Sequence, residues 1–174
     1  RRSANKRADE YGGSQENRIR FACEIISAIS NAIGAHKVGV RLAPFITQRG
    51  MDDSEAIDTI LLAAKQFEQT GIAYIHLAEA DWDDAPSVTP EFRAALRQYF
   101  SGAIIVAGNY TEHSGTQLIE KGLVDYIAFG RRFIANPDLP YRIQEQLPLN
   151  TISDGSTLFG GTAKGYTDYP AYQK

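Results

Sequence analysis

Cysteine is almost missing from this chain: Cys23 is the one thiol in 174 residues. A lone cysteine closes no internal disulfide and has no second thiol for a zinc knuckle. That excludes a disulfide-stapled secreted scaffold and makes a reducing compartment, the cytoplasm, the expected setting. An excess of either charge is missing too, with 18 Lys and Arg against 21 Asp and Glu and a net charge of −3. No basic stripe runs along any segment, so neither nucleic acid nor a membrane surface is expected as a partner. Long apolar runs are absent: Ala103 to Ala107 falls far short of the roughly 20 residues that cross a bilayer. Arg1 to Asn17 holds neither an initiator Met nor the apolar core of a signal peptide, and reads as the middle of a longer chain or as a cut piece. No G-x-G-x-x-G follows the first strand pattern, which removes support for a Rossmann dinucleotide fold. No G-x-S-x-G elbow points to a serine hydrolase, and no three His, Cys or carboxylates have metal-ligand spacing, so no metal is expected.

What is present is a regular alternation. A helix starts at Ser14 and carries Ile19, Ala22, Ile26, Ile29 and Ile33 at spacings of three and four as far as Gly34. Lys37 to Pro44 is a short strand. A second helix places Ile57, Leu61, Ala64 and Phe67 on one face and stops at Gly71, a residue suited to a left-handed cap. Ile72 to Ala78 follows as strand, and Pro90 opens a third helix through Phe92, Ala95, Leu96 and Tyr99. Ala103 to Ala107 is a fully apolar strand, Thr111 caps a fourth helix that runs to Gly122, and Val124 to Phe129 is the fourth strand. Asn136-Pro137-Asp138 has the form of an N-cap, an N1 proline and an N2 acid for a last helix through Gln146. β-branched strands alternating with helices mean a parallel sheet covered by helices. Four strands cannot close a (β/α)8 barrel, so two sheet edges stay open unless another segment or chain covers them. The Gly- and Tyr-rich stretch from Leu147 to Lys174 reads as an irregular segment packed on a surface.

In parallel α/β folds the C-terminal ends of strands carry the site. Arg41 stands inside the first strand among Val38, Val40 and Leu42, where a charge is costly unless it is ion-paired or faces an anionic ligand group. Gly108-Asn109 ends the third strand and Gly130-Arg131 the fourth. Glycine lets backbone N–H groups approach a phosphate and Arg offers a fork of donors, while glycine after a strand also serves ordinary turns. If the four strands are strands five to eight of a barrel, these tips coincide with the common phosphate site. The remaining candidates have plain readings: His36 and His113 as exposed loop and helix-start residues, His76 as a packed core residue, Cys23 as a buried one. Asp81, Asp83 and Asp84 read as a solvated acidic loop around Trp82, which would line a pocket mouth.

The segments NKRADEYGGSQENRIRF (Asn5 to Phe21), VGVRLAPF (Val38 to Phe45), YIHLAEAD (Tyr74 to Asp81), IIVAGNYT (Ile104 to Thr111), YIAFGRRFIANPDLPYR (Tyr126 to Arg142) and GYTDYP (Gly165 to Pro170) together closely resemble the Old Yellow Enzyme family, FMN-dependent ene-reductases of the N-ethylmaleimide reductase type. The likeness runs in order over essentially the whole chain and covers the C-terminal half of the family's barrel. It implies an α/β fold comprising strands 5–8 of a (β/α)8 TIM barrel that needs a complementary N-terminal half. Residues 1–174 then form one half-barrel domain, with 1–17 as the loop after strand four and 147–174 as the C-terminal tail. It implies that Arg41 contacts the flavin near N1 and the C2 carbonyl, the one residue here expected in the catalytic set, and that Ala107, Gly108, Asn109, Gly130 and Arg131 hold FMN. Phe159 stands where relatives often carry an active-site tyrosine and would border both cofactor and substrate. Ala80 stands where relatives can carry a threonine, beside Trp82 in the substrate pocket. The implied reaction passes hydride from NAD(P)H through FMN, by a ping-pong route, to the activated C=C bond of an enone, maleimide or nitro compound. The family's substrate-holding His pair or His/Asn pair and its proton-donating tyrosine sit upstream of Arg1. Activity is therefore expected only with an N-terminal half-barrel, as a separate chain or a missing segment. Two other readings stand beside this one: an isolated half-barrel that binds FMN phosphate or is non-catalytic, and a phosphate-ligand barrel enzyme of another class with Glu79 as base.

Overall fold

The structure is a computed structural model that describes residues 1–47, 51–79, 88–159 and 162–173. It forms two compact units, Arg1–Ala128 and Phe129–Lys174. The first unit holds α1 (Gln15–Ile33), β1 (Gly39–Leu42), α2 (Ala56–Thr70), β2 (Tyr74–Ala78), α3 (Pro90–Tyr99), β3 (Ala103–Ala107), α4 (Glu112–Glu120) and β4 (Tyr126–Ile127). The second begins with α5 (Arg131–Ala135) and α6 (Leu139–Gln144).

All four strands pair in parallel in the order β1-β2-β3-β4. Consecutive order is the arrangement of an arc of barrel wall; a doubly wound sheet reverses direction at a switch point, and none occurs here. Side chains alternate across the strands. Ile75 and Leu77 of β2 and Ile104 and Val106 of β3 are buried against Ile19 and Ile26 of α1, Ala63, Ala64 and Phe67 of α2, and Phe92 and Leu96 of α3. The opposite face holds Gly39, Arg41, Tyr74, His76, Ile105 and Tyr126, and the register sets Arg41 opposite His76, His76 opposite Ile105, and Ile105 opposite Tyr126. The Tyr74 ring lies over Gly39, where a Cβ would stand 2.2 Å from it. Only glycine at 39 leaves that aromatic room to cover the sheet.

The caps follow local chemistry. The Ser14 hydroxyl accepts from Asn17 N–H, the Thr89 hydroxyl accepts from Phe92 N–H ahead of Pro90, and Thr111 and Ser114 form a reciprocal capping box. Gly71 closes α2 at φ 74, in the left-handed region. The segment 1–17 docks by charge: Arg1 donates to the carbonyls of Ala43, Pro44 and Met51, and Glu55 pairs with Arg2 at 2.6 Å and with Arg18 at 2.7 Å.

Three expectations need correction. The fourth strand pairs over two residues rather than from Val124 to Phe129, although Ala128 N–H still donates to Val106 O. Asn136 is no N-cap. It is fully buried, donates to Arg132 O and Asn150 O and accepts from Asn150 N–H, while Asp138 stands at the start of α6. The five-residue α5 ahead of it has no counterpart in the sequence pattern, because it has no side-chain cap and is too short to show a period.

Candidate functional site

Arg41 is exposed, although it stands inside an apolar strand where a charge would be costly if water were excluded. Among the described residues of the first unit, helices cover one side of its strand, and the guanidinium belongs to the other. Among the described residues its side chain makes no hydrogen bond or ion pair, so the ion-pair alternative left open by the sequence has no support. His76, its register partner on β2, is half-buried and its Nε2 is buried without a hydrogen-bond partner. Burial, and then the charge of Arg41, holds the His76 imidazole below its ordinary pKa, so near neutrality it is uncharged. His76 is thus not an apolar-packed core residue, and the sheet face carries an unpaired cation beside an unsatisfied neutral imidazole.

At the tip of β3, Ala107 and Gly108 are half-buried and Asn109 is exposed. A Cβ at Gly108 would stand 3.3 Å from the Tyr110 ring and 3.5 Å from Glu79 Cβ, a tight fit against the ring edge and an ordinary contact with Glu79. Glu79 at the tip of β2 and Arg93 on α3 are both buried. Arg93 Nη1 donates to Glu79 Oε1 at 2.8 Å and Nη2 to Oε2 at 2.9 Å; Nη2 also donates to the Tyr110 hydroxyl at 2.7 Å, and that hydroxyl donates to Glu79. This triad was missed at the sequence level. Its signals are a Glu closing the apolar run of β2, an Arg between Phe92 and Leu96 on the apolar face of α3, and a Tyr directly after Gly-Asn. With its carboxylate held by a fork of donors, Glu79 is already engaged, which removes support for the reading of a phosphate-ligand barrel enzyme of another class with Glu79 as base.

Gly130 and Arg131 open the second unit. Both are exposed, and a Cβ at Gly130 would meet nothing within 4 Å, so open space adjoins the backbone there. Phe159 follows a short 3-10 turn, Gly155–Leu158, and is 72% exposed. Ala80, Trp82 and the acidic residues around Trp82 lie outside the described residues. A groove of about 420 Å³ lined by Arg2, Ser3, Lys6, Asp52, Asp53 and Ser54 contains none of the expected site residues. Among the described residues no group of three His, Cys, Asp or Glu is placed to hold a metal, and no helix is long and apolar enough to cross a membrane.

The donor set fits a flat polar ring system with an anionic tail: an unpaired guanidinium beside an orphaned imidazole nitrogen, and a strand tip where glycine keeps the backbone bare. Comparison with known proteins points the same way. Residues 1–150 match the model of the NADH:flavin oxidoreductase / NADH oxidase family. The chain is 39% identical over 168 residues to putative 12-oxophytodienoate reductase 11 of Oryza sativa subsp. japonica, covering 95% of this chain and 46% of the relative. It is 36% identical over 171 residues to 12-oxophytodienoate reductase 2 of Arabidopsis thaliana, again covering 46% of the relative. Among solved structures, morphinone reductase superposes with a TM-score of 0.91 at 42% identity, covering 98% of this chain and 46% of that one. The old yellow enzyme homologue from Zymomonas mobilis gives 0.90 at 35% identity, covering 98% and 48%. The chain thus spans about half the length of the relatives it matches, and its four-stranded parallel sheet is part of their barrel. On sequence and fold together, the chain belongs to the NADH:flavin oxidoreductase / NADH oxidase family, that of the old yellow enzymes.

Proposed function

We propose that this chain is the C-terminal half of an FMN-dependent NAD(P)H oxidoreductase that reduces activated C=C bonds, and that it works with an N-terminal half-barrel in the same or a second polypeptide. The observation that carries the reading is Arg41, a cation on the open sheet face with no hydrogen bond or ion pair among the described residues. Bound FMN would supply the redox chemistry, moving hydride from a nicotinamide to the β-carbon of an alkene activated by a carbonyl or nitro group. This chain's residues would bind and orient. Arg41 would place its guanidinium against the electron-rich edge of the isoalloxazine, and its fixed charge would favour negative charge there. Ala107, Gly108 and Asn109 at the β3 tip would offer backbone N–H groups to the phosphate; Gly130 and Arg131, in the second unit, keep the phosphate-binding role that the resemblance implies. Phe159 would supply shape without a hydroxyl; Ala80 and Trp82, outside the described residues, keep the substrate-pocket role that the resemblance implies. The N-terminal half would supply the groups that hold the substrate oxygen and donate the proton. The lone Cys23 suits a reducing cytoplasm.

A half-barrel that binds FMN phosphate without turnover is the second reading. The visible spectrum separates the two. The chain is purified alone and fused behind the N-terminal half-barrel of morphinone reductase, then tested for flavin absorbance and for NAD(P)H oxidation driven by 2-cyclohexenone or N-ethylmaleimide. Flavin and turnover in the fusion alone are expected. Flavin without turnover in either form would select the second reading, and a colourless, folded fusion would overturn both.

A further inference from the structure

Resting on the phosphate reading above, we infer that Glu79, Arg93 and Tyr110 form a positioning device that presents the Gly108-Asn109 turn to the FMN phosphate without touching the cofactor. The three come from separate elements: the tip of β2, the first turn of α3, and the residue between the turn and the N-cap of α4. Glu79 is 4% exposed and Arg93 7% exposed. The Glu79 backbone N–H donates to Ala107 O at 2.8 Å, so the strand tip that begins the turn is tied to the residue whose carboxylate holds the turn's far end. Every oxygen of that carboxylate is used: Oε1 by Arg93 Nη1, and Oε2 by Arg93 Nη2 and the Tyr110 hydroxyl.

The turn is therefore fixed at both ends. Ala107 is held by the sheet and by Glu79 N–H. Tyr110 is held by two charged groups, and Thr111 by its capping box with Ser114. Between them Gly108 lies close to the Tyr110 ring and Glu79: a Cβ there would stand 3.3 Å from the ring edge and 3.5 Å from Glu79 Cβ, so even a methyl group would press on the ring. Burial and the Glu79 hydrogen bond push the Tyr110 hydroxyl above its ordinary pKa, so it stays protonated and continues to donate. Two backbone donors pinned in this way meet an anion with little reorganisation, which is what preorganisation contributes to binding. A buried ion pair alone is weak support for stability. A buried pair whose third member sits at the end of a ligand-facing turn has a use beyond it.

The test compares FMN with riboflavin, which share the ring system and differ by the phosphate. Dissociation constants for both are measured by fluorescence quenching on the fused barrel described above, as wild type, Tyr110→Phe, Arg93→Lys and Arg131→Ala. Melting temperatures are recorded without flavin. Tyr110→Phe keeps the ring that Gly108 packs on and removes only the hydroxyl. It is expected to weaken FMN on the order of tenfold while leaving riboflavin unchanged, a split that a general loss of stability does not produce. Arg93→Lys, which keeps the charge and loses the fork, is expected to do the same. FMN preference kept by both variants and lost in Arg131→Ala overturns the positioning device and leaves the phosphate reading intact. A wild-type barrel that binds the two flavins equally, or neither, overturns both.

Discussion

A guanidinium in the middle of a β-strand is expensive wherever water is excluded, and Arg41 is tolerated because, among the described residues, it is exposed. Its neighbour His76 shows the cost of sharing that face. Desolvation, then the Arg41 charge, depresses the imidazole pKa below its ordinary value. For a base with a depressed folded pKa, the unfolded chain takes the proton first. Stability is then fully present above the unfolded value of about 6.5 and is lost as pH falls from there through the folded pKa. Arg41→Ala is expected to raise the NMR titration midpoint of His76 toward the ordinary value and to flatten the acid side of the stability profile; an unmoved midpoint would show the two groups uncoupled. The Glu79–Arg93 pair makes a second prediction at this scale. Arg93→Met strands a buried carboxylate and is expected to cost about 3–5 kcal/mol in urea unfolding. Glu79→Leu with Arg93→Met is expected to recover most of that loss, because two apolar groups leave no unpaired charge. A double variant as unstable as the single one would mean that the network's geometry, and not its charge, supports the core.

Among the elements, α4 makes the sharpest test because propensity and packing oppose each other there. Glycine inside a helix is worse than alanine by about 1 kcal/mol, so Gly115→Ala is expected to stabilise on propensity alone. A Cβ at position 115, however, would stand 2.9 Å from Cγ1 of Ile127, a carbon held on the branched Cβ whose χ1 is stiff. Gly115→Ala is therefore expected to lower stability by roughly 1–2 kcal/mol in chemical denaturation, in line with overpacking; a rise in stability would show that α4 sits further from β4 than the structure has it. The same contrast between local and tertiary causes explains which elements could be read from the sequence. Ser14, Gly71, Pro90 and Thr111 signal their helix ends through chemistry that acts within four residues, and the structure places a boundary at each. Asn136 misled because Asn-Pro-Asp carries the same local signal. Its amide is spent instead on Asn150, fourteen positions away, a partner that no local pattern reveals. Arg41 stood out as a charge in an apolar strand, yet its exposure depended on which face the helices cover. Glu79, Arg93 and Tyr110 converge only through the crossover of α3, so the triad waited for coordinates.

At the scale of the whole molecule, the apolar surfaces left exposed among the described residues offer a place for the proposed partner. On α1, Phe21, Ile25, Ile29 and Ile33 recur every four residues and are 63%, 42%, 43% and 50% exposed, while the other side of the helix packs on α2. Such a stripe is the apolar face of a helix that has one neighbour and room for a second. β1 is an edge of the described sheet, as β4 is at the other end. The preceding helix and strand of a barrel would cover the stripe and the β1 edge together, which is why an N-terminal half-barrel is the partner proposed. Burying the exposed part of two isoleucines contributes on the order of 1 kcal/mol each by area. Ile25→Glu with Ile29→Glu forgoes that contribution and adds the cost of desolvating two carboxylates. The pair of substitutions is expected to weaken association with a separately expressed N-terminal half by at least about tenfold in sedimentation or calorimetric titration. The lone chain's helix content by circular dichroism is expected to stay unchanged, because neither residue belongs to the buried core. Association as tight as that of the parent chain would place the partner elsewhere, on the open sheet face or the β4 edge, and would leave the α1 stripe without the role argued for it.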